Sequence, residues 1–283
     1  MKKIVVTGSD GFVGKHLVVS LKNTGYQVVE IDYAQGNDLT DAKCLNFVSD
    51  FDYIIIHLAS RSFVPQSFEN PFDFYRDNYL MTLNVLEAAR KAEARVIFFS
   101  SYLYGTPKYL PIDENHPLAP HNPYAQTKLI CEKLCEGYNR DFGLDIVVFR
   151  PFNIYGNGQN ESFLIPSIIK QAKLGTIKLK DPRPKRDFIH VLDVISAVKK
   201  VIEIQPKGYL VFNLGSGKSY AIDEVTKIVA ESIGRELIIE FTNEYRKGEV
   251  LDTVANNSKI QHMLDWIPLI GMSDGINQLV TEL

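Results

Sequence analysis

Apolar and polar residues follow two rhythms along this chain. Lys3–Thr7, Gln27–Ile31, Tyr53–Leu58 and Arg95–Phe99 are short runs that stay apolar almost throughout instead of alternating. Strands of that kind need cover on both faces, which parallel sheets between helices provide. Helical spacing fills the intervals: Val13, Leu17 and Leu21 recur until Gly25, and a second such pattern runs from Tyr79 to Ala92. The pattern predicts an α/β fold with a doubly wound parallel sheet. The link from Asp32 to Asp38 is short and leaves little room for the helix expected there.

Beyond Arg150 the rhythm is less regular. Helical patterns cover 163–174 and 222–233, and loops cover 155–162 and 179–186. Residues 191–204 read as helix and 210–214 as strand, both returning to the first domain. The expected division is therefore 1–152 with 189–214 for the larger domain. A smaller mixed α/β domain takes 153–188 and 215–283. No internal repeat or low-complexity segment interrupts either.

Composition narrows the function. A chain of 283 residues, 45% apolar, can bury a sizeable core, and 31 basic against 34 acidic residues leave a net charge of −3. No nucleic-acid partner is expected from so balanced a chain. Cys44, Cys131 and Cys135 share no zinc spacing with the six histidines, so neither a metal nor a disulfide framework is expected. Cys131 and Cys135 read as packing, and His116 and His121 as loop residues without a third ligand. The opening MKKIVVTG has an apolar run too brief for a signal peptide or a membrane span. A cytoplasmic protein with no membrane partner is the expectation.

Two motifs carry chemistry. The first is the loop Gly8-Ser9-Asp10-Gly11-Phe12-Val13-Gly14 between a strand and a helix. Glycines there let backbone turn and approach a pyrophosphate, whose charge the following helix N-terminus favours. A plain strand-to-helix turn also uses glycines. Asp32, ending the second strand, is placed to accept hydrogen bonds from an adenosine ribose, and its charge would repel a 2′-phosphate. No basic residue follows closely, so NAD is expected over NADP; the bland reading is a turn-forming aspartate. The second motif is Tyr124-Ala-Gln-Thr-Lys128, whose four-residue step puts both side chains on one helix face. An ammonium near a phenol favours phenolate, so Tyr124 is expected to be acidified by Lys128 and to act as a base.

With these in place, the chain resembles the extended short-chain dehydrogenase/reductases of the nucleotide-sugar epimerase/dehydratase family. Motifs in the family's order are TGSDGFVG at Thr7–Gly14, Asp38-Leu39, HLAS at His57–Ser60, and Asn78 before TLNVLEAAR. SSYLYG at Ser100–Gly105, NPYAQTK at Asn122–Lys128, RPFNIYG at Arg150–Gly156, RDFIHVLDV at Arg186–Val194 and FNLGSG at Phe212–Gly217 follow. The resemblance implies a Rossmann-type domain binding NAD through Gly8, Gly11, Phe12, Val13, Gly14, Asp32 and Tyr33. Asp38 and Leu39 would flank adenine, Leu58, Ala59 and Ser60 would line the cofactor, and Asn78 would hold the nicotinamide side. Ser100, Tyr124, Lys128 and Pro151 complete that set. SSYLYG is one residue shorter than the common form. Alignment from the strand selects Ser101 as the catalytic hydroxyl, and alignment from Tyr104-Gly105 selects Ser100. Ser101 is preferred, because the strand fixes which hydroxyl faces the cofactor. Ser101 and Tyr124 would then also touch the substrate.

On the substrate side the resemblance assigns Asn153, Arg186 and Arg246, the arginines gripping a nucleotide's phosphates. The bland reading for each arginine is a surface ion pair. A 4,6-dehydratase would need an acidic pair just after the catalytic hydroxyl, where this chain has Tyr102-Leu103. The leading expectation is an NAD-dependent nucleotide-sugar 4-epimerase passing through a 4-keto sugar. A 4-ketoreductase using the same Ser, Tyr and Lys is the alternative, and a non-catalytic NAD sensor is a reading from another class. Relatives dimerise through the Tyr-x-x-x-Lys helix and its neighbour, which implies a homodimer.

Overall fold

The computed structural model describes residues 3–46, 53–245 and 248–282. In chain order its elements are β1 (Lys3–Thr7), α1 (Phe12–Asn23), β2 (Gln27–Ile31), β3 (Tyr53–His57), α2 (Val64–Glu69), α3 (Pro71–Lys91) and β4 (Arg95–Phe99). Next come α4 (Pro123–Phe142), β5 (Ile146–Pro151), β6 (Asn153–Tyr155), α5 (Leu164–Leu174), β7 (Thr176–Leu179), β8 (Lys185–His190) and α6 (Val191–Ile204). The remainder is β9 (Tyr209–Leu214), β10 (Ser219–Ala221), α7 (Ile222–Ile233), β11 (Ile238–Phe241), β12 (Asp252–Thr253), α8 (Ser258–Leu264) and α9 (Met272–Glu282).

These elements divide into two compact units. Unit 1 comprises Met1–Gly105, Pro117–Pro151 and Ile195–Phe212. Unit 2 comprises Thr106–His116, Phe152–Val194 and Asn213–Leu283.

Unit 1 is built on a parallel sheet of six strands, ordered β2-β1-β3-β4-β5-β9. The all-apolar runs explain the order of burial: Ile54, Ile55 and Ile56 of β3 and Ile4, Val5 and Val6 of β1 are essentially inaccessible. Such strands gain most at the middle of a sheet covered on both faces. β1 has β2 on one side and β3 on the other, so strand order reverses there. In open α/β sheets a ligand crevice forms at that switch, beyond the strands' carboxyl ends. The short link from Asp32 to Asp38 holds one 3₁₀ turn, Tyr33–Gln35, and a second, Ala42–Leu45, follows it.

α3 begins eight residues before the periodic pattern, at Pro71, because a proline in the first turn loses no helical hydrogen bond. α4 starts with Asn122 accepting from the Ala125 amide at 2.8 Å and ends at Gly143 in the left-handed region. Cys131 and Cys135 on α4 pack into the core with Leu86, Phe98 and Leu144. One turn beyond Lys128, Glu132 is buried and holds Arg150 through bonds of 3.0 and 2.7 Å, while the same guanidinium donates to the Tyr104 hydroxyl at 3.1 Å.

In unit 2, β8 pairs with β10, β12 and β6, and β11 pairs with β7. Its core joins Tyr155 and Phe188 to α5, α7 and α9 through Ile168, Val229 and Ile276.

The Glu132–Arg150 pair tests this packing. Removing one member of a buried pair leaves the other charge uncompensated, so Glu132→Ala is expected to lower unfolding free energy by about 3–5 kcal/mol. Urea denaturation monitored by circular dichroism measures it; a loss below about 1 kcal/mol would show that water solvates Arg150 instead.

Candidate active site

The glycine loop leaves β1 with no space for side chains. Gly8 has φ +73°, and a Cβ there would lie 2.7 Å from the Ala59 nitrogen. A Cβ on Gly14 would lie 2.1 Å from the Gly8 carbonyl oxygen. Gly8 therefore permits the approach of two loops, and Gly14 permits the packing of α1 against the turn. Gly11 precedes α1 in extended conformation, with no side chain capping the helix, and Phe12 and Val13 form its half-buried first turn. Uncapped first-turn amides are donors for an anion. Asp32 steadies the loop: one carboxylate oxygen accepts the Asp10 amide at 3.0 Å and the other accepts Ala34 at 3.0 Å. Asp32 thus does serve the turn, as the bland reading has it, while remaining half-exposed. Tyr33 beside it is exposed, Asp38 accepts from the Thr40 amide and hydroxyl, and Leu39 is buried.

The segment after β3 runs alongside. The Leu58 amide donates to the Thr7 carbonyl and the Ala59 amide to the Thr7 hydroxyl at 3.3 Å. Asn78 on α3 is buried, and its amide is committed to protein partners: it donates to the Arg61 carbonyl (3.1 Å) and to the Thr127 hydroxyl (2.9 Å), and accepts the Arg61 amide at 2.8 Å. It braces the segment that contains Leu58–Ser60. Asp77 adds to this brace, its two oxygens paired with Arg61 and Arg76 at 2.6 Å each. Burial opposes the charge on Asp77, but those two guanidiniums hold its pKa below the usual carboxylate range.

Tyr124 and Lys128 share one face of α4 as expected. The side chains of Ser60 and Ser101 stand close enough to the Tyr124 hydroxyl to lower its pKa as hydrogen-bond partners. The Ser100 hydroxyl, by contrast, is buried with no partner among the described residues. The structure therefore brings Ser101, and not Ser100, to the phenol. Lys128 is buried; its Nζ donates to the Phe99 carbonyl at 2.8 Å, lies 5.0 Å from the Phe98 ring centre and 6.0 Å from that of Tyr124. Burial pushes the Lys128 pKa down to about 8. Burial likewise pushes Tyr124 up to about 12, against the lowering effect of the Ser60 and Ser101 bonds. The expected acidification of Tyr124 by Lys128 is thus not what this geometry produces: desolvation of the phenolate outweighs an ammonium whose bond goes to a backbone carbonyl. Pro151 lies buried at the end of β5.

Unit 2 carries the substrate-side candidates. Asn153 donates to the Asp187 carbonyl at 3.0 Å. Arg186 is half-buried, donating to the Val250 carbonyl at 2.6 Å and pairing with Glu249. Arg246 lies outside the described residues.

Sequence reading placed Ser60 only along the cofactor and did not foresee its approach to the phenol. It missed two contributors: Thr127 ties Asn78 to α4, and Asp187, wholly buried, accepts from the amides of Ser216, Gly217 and Ala255 and the Ser216 hydroxyl. Asp187 stands at the head of the apolar run of β8, and its partners are distant in sequence. Among the described residues no helix is long and apolar enough to cross a membrane.

A loop in which Gly8 and Gly14 admit no Cβ, an uncapped helix start and a Ser100 hydroxyl with no partner among the described residues suit a dinucleotide. Comparison with known proteins agrees. The model of the NAD dependent epimerase/dehydratase family matches residues 4–215. The UDP-glucose 4-epimerase of Halalkalibacterium halodurans is 31% identical, with 94% of this chain and 90% of that protein aligned. The GDP-6-deoxy-D-mannose reductase of Pseudomonas aeruginosa is 30% identical over 99% of this chain and 97% of its own. The solved complex of Thermus thermophilus UDP-glucose 4-epimerase with NAD superposes with a TM-score of 0.86 at 26% identity, covering 99% of this chain and 98% of that one.

The depressed Lys128 pKa has a measurable consequence. Its folded value is about 8 against an ordinary 10.5, so between those pH values the unfolded chain binds more protons and stability rises with pH. Below pH 8 the full cost of the buried ammonium is present. Lys128→Met removes this dependence, and the stability of the variant minus that of the wild type is expected to fall by about 2 kcal/mol from pH 7 to 10. Denaturant melts at pH 7, 8.5 and 10 measure this. A difference independent of pH would show that the ammonium is not depressed.

Proposed function

The chain belongs to the NAD dependent epimerase/dehydratase family, and we propose that it is an NAD-dependent nucleotide-sugar 4-epimerase, acting on a UDP-hexose through a transient 4-keto sugar. The observation that carries this reading is the gathering of Ser60 and Ser101 at the Tyr124 hydroxyl, with Lys128 Nζ 6.0 Å from the Tyr124 ring centre and no acid directly after Ser101. Leu103 is wholly buried there, and the Tyr102 hydroxyl donates to the Gly105 carbonyl at 2.7 Å, so neither supplies the acid/base pair of a dehydration.

Bound NAD supplies the hydride acceptor, and in its oxidised form a positive charge that favours phenolate. Tyr124 then takes the proton from the sugar's C4 hydroxyl, and Ser101 orients that oxygen by hydrogen bonding. Ser60 stabilises the phenolate formed. Lys128, charged below about pH 8, keeps the surroundings of the phenol positive. After the keto-sugar turns over, the hydride would return to the opposite face of C4 while Tyr124 gives its proton back to the C4 oxygen, which yields the other epimer. Gly8, Gly11, Phe12, Val13 and Gly14 would hold the pyrophosphate, Asp32 and Tyr33 the adenosine ribose side, and Asp38 and Leu39 the adenine. Leu58, Ala59, Ser60, Asn78, Ser100 and Pro151 would form the nicotinamide side. Unit 2 would take the nucleotide-sugar through Asn153, Arg186 and Arg246. The carboxylate of Asp32 supports NAD retention over NADPH use, which favours epimerisation. The reductase among the relatives keeps 4-keto reduction as the second reading.

Purified protein given UDP-glucose or UDP-galactose is expected to interconvert the C4 epimers with no net change in NADH absorbance. Consumption of one NADH per sugar would replace the epimerase with the reductase. Tyr124→Phe is expected to lower kcat by roughly 10²–10⁴-fold while NAD stays bound. Unchanged turnover in that variant would remove Tyr124 from the chemistry.

The proposal includes a cytoplasmic homodimer. Phe72, Tyr75 and Tyr79 on α3 are exposed, which favours burial against a second copy. Light scattering is expected to give twice the chain mass, and a monomer at micromolar concentration would exclude the dimer.

A further inference from the structure

β3 ends in a buried histidine to which the chemistry assigns no step. His57 is the register partner of Thr7 on β1, and its Nδ1 lies 2.8 Å from the Thr7 hydroxyl oxygen. Its Nε2 lies 3.2 Å from the Thr82 hydroxyl oxygen on α3. Thr82 also bonds to the Asn78 carbonyl at 2.8 Å, and a carbonyl only accepts. The single hydroxyl hydrogen of Thr82 is therefore used there, and Thr82 must accept from Nε2–H. At the other end the Thr7 oxygen accepts the Ala59 amide at 3.3 Å, leaving its own hydrogen for Nδ1. This assignment, made from partners, places a proton on Nε2 and is met in full by the neutral imidazole, with the Thr7 hydroxyl donating to Nδ1. Burial first, and the charge of Lys128 second, push the His57 pKa down to about 3, so the neutral form holds at ordinary pH.

The circuit continues past Asn78. Its side-chain amide donates to Thr127, and the Thr127 hydroxyl donates to the backbone carbonyl of Tyr124 at 2.8 Å. Hydrogen bonds thus run from the strand that launches the glycine loop, through His57 and α3, to the catalytic turn of α4. Fully satisfied buried networks of this kind fix geometry, because any broken member leaves a polar group unpaired in a low dielectric.

We infer that His57 is a positioning residue that sets the dinucleotide-binding segments after β1 and β3 in register with the helix carrying Tyr124. It touches neither substrate nor cofactor and transfers no proton. This goes beyond the proposed epimerisation and holds for any reaction at Tyr124, since its readout is NAD binding and needs no turnover.

Imidazole offers a dissection, because an asparagine amide reaches about as far as Nδ1 and a glutamine amide about as far as Nε2. NAD dissociation constants are measured by calorimetry for the wild type, His57→Phe, His57→Asn, His57→Gln and Thr82→Val, well below each melting temperature. His57→Phe is expected to bind NAD at least tenfold more weakly. His57→Asn keeps the Thr7 link and His57→Gln the Thr82 link, so each should recover part of that loss. Thr82→Val should match His57→Asn. A folded His57→Phe with wild-type NAD affinity overturns the inference, as do asparagine and glutamine variants no better than phenylalanine. Should His57→Phe fail to fold, wild-type affinity in both His57→Asn and Thr82→Val overturns it equally. Failure of the epimerase assay leaves this test untouched, so the two proposals fall separately.

Discussion

The larger unit depends on how closely two strand ends approach. β1 and β3 lie side by side, and beyond them Gly8 sits against the Ala59 backbone with no room for a Cβ. That contact sets the turn of the glycine loop, and Gly14 then lets α1 close over it. A side chain at either position would push the loops apart, and the first-turn amides of α1 would no longer face the switch point where β2 and β3 diverge. The same approach carries Ser60 onward to the hydroxyl of Tyr124. The glycine loop and the Tyr124 phenol therefore share one backbone contact.

Electrostatics at that phenol are governed by burial. Tyr124 and Lys128 are both driven toward their neutral forms, the phenol upward and the ammonium downward. Two serine hydroxyls oppose the first shift and a carbonyl partner holds the lysine in place. Spacing along a helix brings the two side chains to one face, but the dielectric around them decides which charges survive.

Unit 2 applies a different device. Asp187 is a buried carboxylate surrounded by donors from Ser216, Gly217 and Ala255. Burial raises its pKa, and those bonds partly offset the rise. Its own carbonyl holds Asn153, and its neighbour Arg186 is anchored on the Val250 carbonyl and Glu249. Asn153 is thus held by the backbone of the same aspartate whose side chain gathers those three amides.

Much of this was legible in the residues alone. Unbroken apolar runs determine central strands, since only a doubly covered sheet removes both faces from water. The glycine spacing, Asp32 at a strand end and the Tyr124–Lys128 step likewise identify a dinucleotide enzyme, because each is a local requirement of turn, charge or helix geometry. What depends on contacts between distant residues could not be read this way. The choice of Ser101 over Ser100 at the phenol, the commitment of Asn78 to Arg61 and Thr127, the tautomer of His57 and the basicity of Tyr124 all follow from which groups meet after folding. Periodicity records the local demands of helix and strand, whereas desolvation and hydrogen-bond satisfaction are properties of the assembled interior.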